Sequence, residues 1–166
     1  QLFVLLHPLS SFPFLMAAYK KKMNVKKIAF SAVITAFIIA VVINFVGPLL
    51  FNLFGITLNS FRIAGGILLL LLGINTVNPS ENEIKSIGGI DSLISIIATP
   101  KLTGPATISF ITIKAYEIGQ IPLLTSMIIS FLMVAVVFIT FSFLIPKVNI
   151  KLINISSRVL GLFLTA

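Results

Sequence analysis

From Ile28 to Phe54 the chain runs for 27 residues without a charged side chain. A helix crosses the hydrocarbon of a bilayer in about 20 apolar residues, so this run alone is long enough to span. It shows no strong alternation of polar and apolar positions, which a membrane β-barrel would show in segments of about ten residues. A run that is apolar on all sides reads as a helix buried in lipid or among other helices. The rest of the chain agrees. Of its 166 residues, 58% are hydrophobic and 10% are charged, against about 25% charged in a soluble domain. The solvent of such a fold is lipid.

Six apolar segments follow from this reading: Leu2–Tyr19, broken by Pro8 and Pro13; Ile28–Phe54, with Gly47 and Pro48 near its end; Phe61–Val77; Leu93–Tyr116; Pro122–Ile145; and a sixth from about Ile153. Between the third and fourth, "SENE" (80–83) fits a capping box, Ser80 capping and Glu83 reaching back. A short helix or an irregular polar loop is compatible with it. No basic region precedes the first apolar run, so no signal peptide is read. The first and last segments are short for a span, and the natural protein is expected to extend past both ends. Cysteine is absent, which excludes disulfides, thiolate chemistry and cysteine metal sites.

The net charge is +8, but the basic residues flank apolar runs, as they do where a membrane protein meets anionic headgroups. Nucleic acid is therefore not an expected partner. Lys20, Lys21, Lys22, Lys26, Lys27, Lys85, Lys147 and Lys151 fall in loops that six spans place on one side. That side is read as cytoplasmic, with both termini outside.

The first and fourth segments share a landmark. "HPLSSFP" (7–13) and "TPKLTGP" (99–105) both contain Pro-x4-Pro with small hydroxylated residues between or beside the prolines. Downstream, "RIAG" (62–65) and "RVLG" (158–161) match, and Pro48 and Pro146 precede the two arginines by 14 and 12 residues. The two halves align at offsets of 92 at their starts and 96 at their ends. Three spans per half is an odd number, so the second copy enters the membrane from the opposite side. The expected architecture is an all-α membrane protein with six transmembrane helices. They form two inverted three-helix repeats, 1–77 and 93–166, joined by a cytoplasmic loop at 78–92, with the first and fourth helices broken. The C-terminal helix is expected to be truncated. Such repeats hold substrate where their broken helices meet.

Proline removes a backbone N–H and clashes with the preceding turn. Irregular backbone survives in hydrocarbon only against protein or a wet cavity. Pro105 suits the first position of a new half-helix, leaving the N–H groups of Ala106, Thr107 and Ile108 for an anion. Pro13 suits the same role in the first break. The candidate substrate-binding residues are Pro8, Ser10, Ser11 and Pro13, with Thr99, Pro100, Thr103, Gly104, Pro105 and Thr107. His7 and Lys101 are coupling candidates. His7 either relays a proton or is a hydrogen-bonded residue of the break. Lys101 either attracts a carboxylate or snorkels to the cytoplasmic face. Arg62 and Arg158 read as interfacial anchors, Asn44 and Asn75 as interhelical hydrogen-bonders or, alternatively, as substrate-facing residues, and Gly65, Gly66, Gly73 and Gly161 as close-packing positions. The four acidic residues, Glu81, Glu83, Asp91 and Glu117, all lie in loops or at span ends. No catalytic triad or dyad assembles, and no enzyme is expected. A small zwitterion fits best, with its carboxylate on half-helix N-termini and its ammonium on carbonyls and hydroxyls.

At these residues the chain resembles the MarC family of integral membrane proteins, also called UPF0056. That family is related to small neutral amino acid transporters and sits near the LysE exporters. Its first span carries Asn-Pro-Leu-Gly with a following proline, here "HPLSSFPF". Its fourth carries a Pro-Leu-Leu-Ala-Gly-Pro-like run, here "TPKLTGPATI". "FRIAGGILLLLLGI" (61–74) and "RVLGL" (158–162) look like its third and sixth spans. His7 stands where the family usually has Asn, and Lys101 where it has an apolar residue. The resemblance implies six spans and, for some members, proton-coupled uptake of glycine or alanine. The expected function is secondary transport of small neutral amino acids across the cytoplasmic membrane. Alternatives are LysE-like export of another small metabolite, or a passive channel. The expected partners are a small-molecule substrate and the bilayer, with a homo-oligomer left open. No cofactor or metal is expected beyond H+ or Na+ as a coupling ion.

Overall fold

The computed structural model describes residues 1–55, 57–77 and 89–145. The "SENE" motif, Lys85, Pro146, Lys147, Lys151, Arg158 and the sixth segment lie outside the described residues. The described chain is helical throughout: α1 (Leu2–Leu6), a 3-10 turn (Pro8–Ser11), α2 (Phe12–Lys20), α3 (Val25–Phe54), α4 (Leu58–Val77), α5 (Ile90–Ile96) continuing into a π-helical turn (Ile97–Leu102), α6 (Pro105–Ile118) and α7 (Gln120–Leu144). Among the described residues, three stretches are long and apolar enough to cross a membrane: Leu2–Lys20, Val25–Leu50 and Gln120–Leu144. A shorter apolar helix covers Ile90–Thr99.

Local chemistry sets several helix starts. Asn24 accepts the Lys27 N–H at 3.1 Å, capping α3 three residues earlier than the apolar run implies. Thr57 accepts the Ser60 N–H at 3.2 Å and caps α4. Gly119, at φ 90°, makes the tight junction between α6 and α7. That conformation favours glycine.

α3 is the centre of the bundle, packing on α5, α6 and α7. Its buried face is a stripe of small residues: Ala29, Ala32, Ala36, Ala40 and Gly47, with Asn44 in register. Small side chains let helix backbones approach closely, the usual basis of helix packing in lipid. Its opposite face exposes Phe30, Ile34, Ile38, Val42 and Leu49. α7 is also two-faced, but it buries large side chains, Met127, Phe131, Val134 and Phe138, while exposing Ile129, Leu132 and Val136. Large apolar side chains on the outer faces of both helices suit surroundings of lipid.

Three contacts fix the running directions. Lys26 Nζ lies 3.8 Å from the Phe143 ring centroid, so the start of α3 meets the end of α7. Asn44 Nδ2 donates to the Gln120 carbonyl at 3.0 Å, so late α3 meets the start of α7. Arg62 pairs with Glu117, so the start of α4 meets the end of α6. α3 and α7 are thus antiparallel, as are α4 and α6. Contacts of Thr103 with Ala36 and of Thr112 with Gly47 make α6 parallel to α3. α2 ends at Lys20, beside the start of α3. The two broken helices therefore run in opposite directions: α1–α2 towards the lysine-rich end, α5–α6 away from it.

Candidate functional site

Both expected breaks exist. In the first, the chain leaves α1 at His7, which adopts a left-handed conformation (φ 42°, ψ 59°). This is uncommon for a residue with a side chain. The 3-10 turn follows, closed by Ser10 N–H to the His7 carbonyl at 3.0 Å. Ser10 Oγ donates to the same carbonyl at 2.9 Å. α2 then begins at Phe12, so Pro13 stands at its second position rather than its first.

The second break differs from expectation at Pro100. The helix is not interrupted there. It widens into a π turn, in which Thr103 N–H donates to the Ala98 carbonyl at 2.9 Å, five residues back. The wider turn carries the chain past the N–H that proline lacks. The break falls at Thr103 and Gly104, and α6 starts at Pro105, the expected first position. Gly104 is the cap residue, so its carbonyl accepts the first helical bond, from Ile108 N–H at 3.0 Å. Ile108 is therefore not available to an anion. The amides left over at this end are those of Ala106 and Thr107.

The 3-10 turn and the π turn pack against each other. Of the candidate residues, His7, Pro8, Ser11, Thr103, Gly104 and Thr107 are buried, and Ser10 and Pro13 half-buried. Thr99 and Pro105 are exposed, so the structure does not bring Thr99 into the buried group. The side chains of Pro100 and Lys101 lie outside the described residues. Thr103 Oγ1 donates to the Ala36 carbonyl at 3.0 Å, which a small residue on α3 leaves within reach. Thr107 Oγ1 donates to the Leu102 carbonyl at 3.1 Å, bracing the break from the α6 side. Ser11 is fully buried, and its Oγ has no hydrogen-bond partner among the described residues. Phe12, next to it, stacks on Phe141 with ring centroids 3.8 Å apart, tying the first break to α7.

Other polar positions sharpen or correct the sequence reading. Asn44 is an interhelical hydrogen-bonder, as expected. Gly65 is a close-packing position: a Cβ there would lie 3.0 Å from Ser109 Cβ. Gly66 is not, because nothing lies within 4 Å of the corresponding point. The Asn75 and Gly73 side-chain positions, with Gly161, lie outside the described set. Sequence reasoning missed the strongest ionic feature. Glu117 bonds Lys114 at 2.7 Å and also pairs with Arg62 on α4. Those partners, Lys114 first and then Arg62, hold its carboxyl below the ordinary carboxylate value. The Lys114–Glu117 spacing was a visible signal for one half of this group. Nothing in the sequence pointed to Arg62, 55 residues away.

Comparison with known proteins places these features in context. A family model described as MarC family integral membrane protein matches residues 1–166. The chain is 29% identical over 180 aligned positions to a UPF0056 membrane protein of Methanocaldococcus jannaschii, covering 99% of this chain and 78% of the relative. It is 30% identical to one of Aquifex aeolicus, covering 99% and 84%. It is 26% identical to UPF0056 membrane protein YhcE of Escherichia coli, covering 99% and 83%. No solved structure matches it significantly.

Proposed function

We propose, from the premise that this chain belongs to the MarC family of integral membrane proteins, that it is a secondary transporter moving small neutral amino acids of the glycine and alanine class. It is a multi-pass membrane protein. On this reading its membrane is the cytoplasmic one, its lysine-rich end faces the cytoplasm, and its termini lie outside. Six spans form two inverted repeats, 1–77 and 93–166, and alternating access turns on their broken helices.

One observation carries the reading: two helix breaks on antiparallel elements pack against each other, with buried hydroxyls at both. Inverted-repeat transporters bind at such a meeting of discontinuous helices. The α6 terminus supplies a positive helix end and the amides of Ala106 and Thr107 for a carboxylate. Ser11 Oγ, buried without a partner, supplies an acceptor or donor for an ammonium or carboxylate group. Pro8, Ser10, Pro13, Thr103 and Gly104 shape the two breaks around it. His7 and Lys101 are the groups through which a proton would couple, with Na+ as the other coupling ion.

The test is counterflow of labelled glycine or alanine in liposomes containing the purified protein, with and without pH or sodium gradients. Saturable, trans-stimulated exchange is expected. Absence of counterflow for every small neutral amino acid contradicts the proposal. Flux that neither saturates nor responds to a gradient assigns a channel instead.

A further inference from the structure

We infer that Asn44 anchors a Na+ site where α3, α6 and α7 meet, away from the paired breaks. Its use as a coupling site rests on the transporter reading. The binding itself does not.

Asn44 is fully buried. Its Nδ2 donates to the Gln120 main-chain carbonyl at 3.0 Å. A carbonyl only accepts, so the orientation of the side-chain amide is settled by its partner. The nitrogen faces the Gln120 carbonyl, which leaves Oδ1 as the other end of the amide. That Oδ1 is buried with no hydrogen-bond partner among the described residues.

A second oxygen belongs to the same residue. Pro48 lies four positions on, inside α3. It has no N–H, so the Asn44 main-chain carbonyl loses the donor that a regular helix would provide. One residue thus carries an acceptor without a partner on its side chain and another deprived of its helical donor on its backbone.

A third oxygen comes from α6. A Cβ on Gly47 would lie 2.8 Å from Thr112 Oγ1. The missing side chain therefore lets this hydroxyl press against the α3 turn that holds Asn44 and Pro48. The single hydroxyl proton of Thr112 is committed to the Ile108 carbonyl at 2.8 Å. Towards α3 the oxygen has only lone pairs to offer.

Three acceptors with no donor among them suit a cation. All three are neutral, and no group of three His, Cys, Asp or Glu side chains capable of holding a metal occurs among the described residues. Calcium and magnesium sites draw on carboxylates. Neutral carbonyl and hydroxyl oxygens at an irregular membrane helix suit Na+. Water completes the coordination. Asn44 lies six residues before Leu50, where the apolar span ends, about 9 Å by helical rise. The nearer end of the bundle is the one opposite the lysine cluster.

The experiment is thermal unfolding of the purified protein in detergent, without substrate, in NaCl, KCl or choline chloride at equal ionic strength. Na+ is expected to raise Tm saturably, by roughly 3 °C over choline. Asn44→Ala and Thr112→Val are expected to lose that rise, and Thr112→Ser to keep it. If Asn44→Ala does not fold, Thr112→Val alone decides. Equal Tm in all three salts, or a Na+ rise that survives Thr112→Val, overturns the proposal. A buried acceptor that merely holds water gives the first of these results. Failed amino acid counterflow leaves a Na+ shift standing, and a flat Tm leaves counterflow standing.

Discussion

Gly47 and Gly66 show how differently one residue type is used along these helices. A Cβ on Gly47 would meet Thr112 Cγ2 at 2.7 Å, closer than real Cβ contacts come. Gly47→Ala is expected to destabilise by about 1–3 kcal/mol, as overpacking does. Gly66 faces open space. Gly66→Ala, in a helix interior, is expected to stabilise by about 0.5–1 kcal/mol. Thermal unfolding of the two variants beside the parent checks both signs. Glu117 makes a second case at this scale. Its carboxyl is held below the ordinary value by Lys114 and Arg62. A depressed carboxylate contributes stability above its unfolded pKa, and the contribution is lost as pH falls through the folded one. Stability is thus expected to be unaffected by this group from pH 7 down to about 5. Below the ordinary carboxylate range it falls, and Glu117→Gln removes that part of the acid dependence. A pH series of unfolding midpoints reads this directly.

At the scale of elements, Thr103 is the strut between the second break and the central helix. Its hydroxyl reaches the Ala36 carbonyl because α3 presents alanine there. Thr103→Val keeps the shape and removes the bond, with an expected cost of about 0.5–1.5 kcal/mol. Amide exchange should quicken first in the π turn and at the start of α6, since local opening follows local stabilisation. These elements also mark how far sequence could be read. Pro105 at a helix start was legible because the preference is intrinsic to proline. The break at His7–Ser11 was legible from Pro8 and its small hydroxylated neighbours. The π turn through Pro100 was not, because proline alone does not say whether a helix stops or widens. The assignment of Ile108 as a free amide overran the helix end by one residue: with Pro105 first in the helix, Gly104 is the cap and its carbonyl takes the Ile108 N–H. The Arg62–Glu117 pair and the Gly47–Thr112 contact depend on which helices become neighbours, and no local pattern encodes that.

At the scale of the molecule, the opposed directions of α1–α2 and α5–α6 leave the lysine cluster at one end and Ile118 at the other. The absence of cysteine allows single-cysteine labelling without background. With the lysine-rich end in the cytoplasm, Ile118→Cys is expected to react in intact cells with a membrane-impermeant thiol reagent. Lys20→Cys is expected to react only after permeabilisation. The reverse pattern inverts the assigned orientation. The central claim is that the two packed breaks bind a small neutral amino acid, and Ser11 gives direct access to it. Ser11 Oγ has no hydrogen-bond partner among the described residues, and an unsatisfied buried hydroxyl costs roughly 1–3 kcal/mol. Removing it should leave the empty protein no less stable while weakening its ligand. The deciding measurement is equilibrium binding of labelled glycine and alanine to the purified protein and to Ser11→Ala. Saturable binding by the parent is expected, with about tenfold weaker binding by Ser11→Ala and an unfolding midpoint of Ser11→Ala at or above the parent's. No binding by the parent, or equal binding by the two, contradicts it.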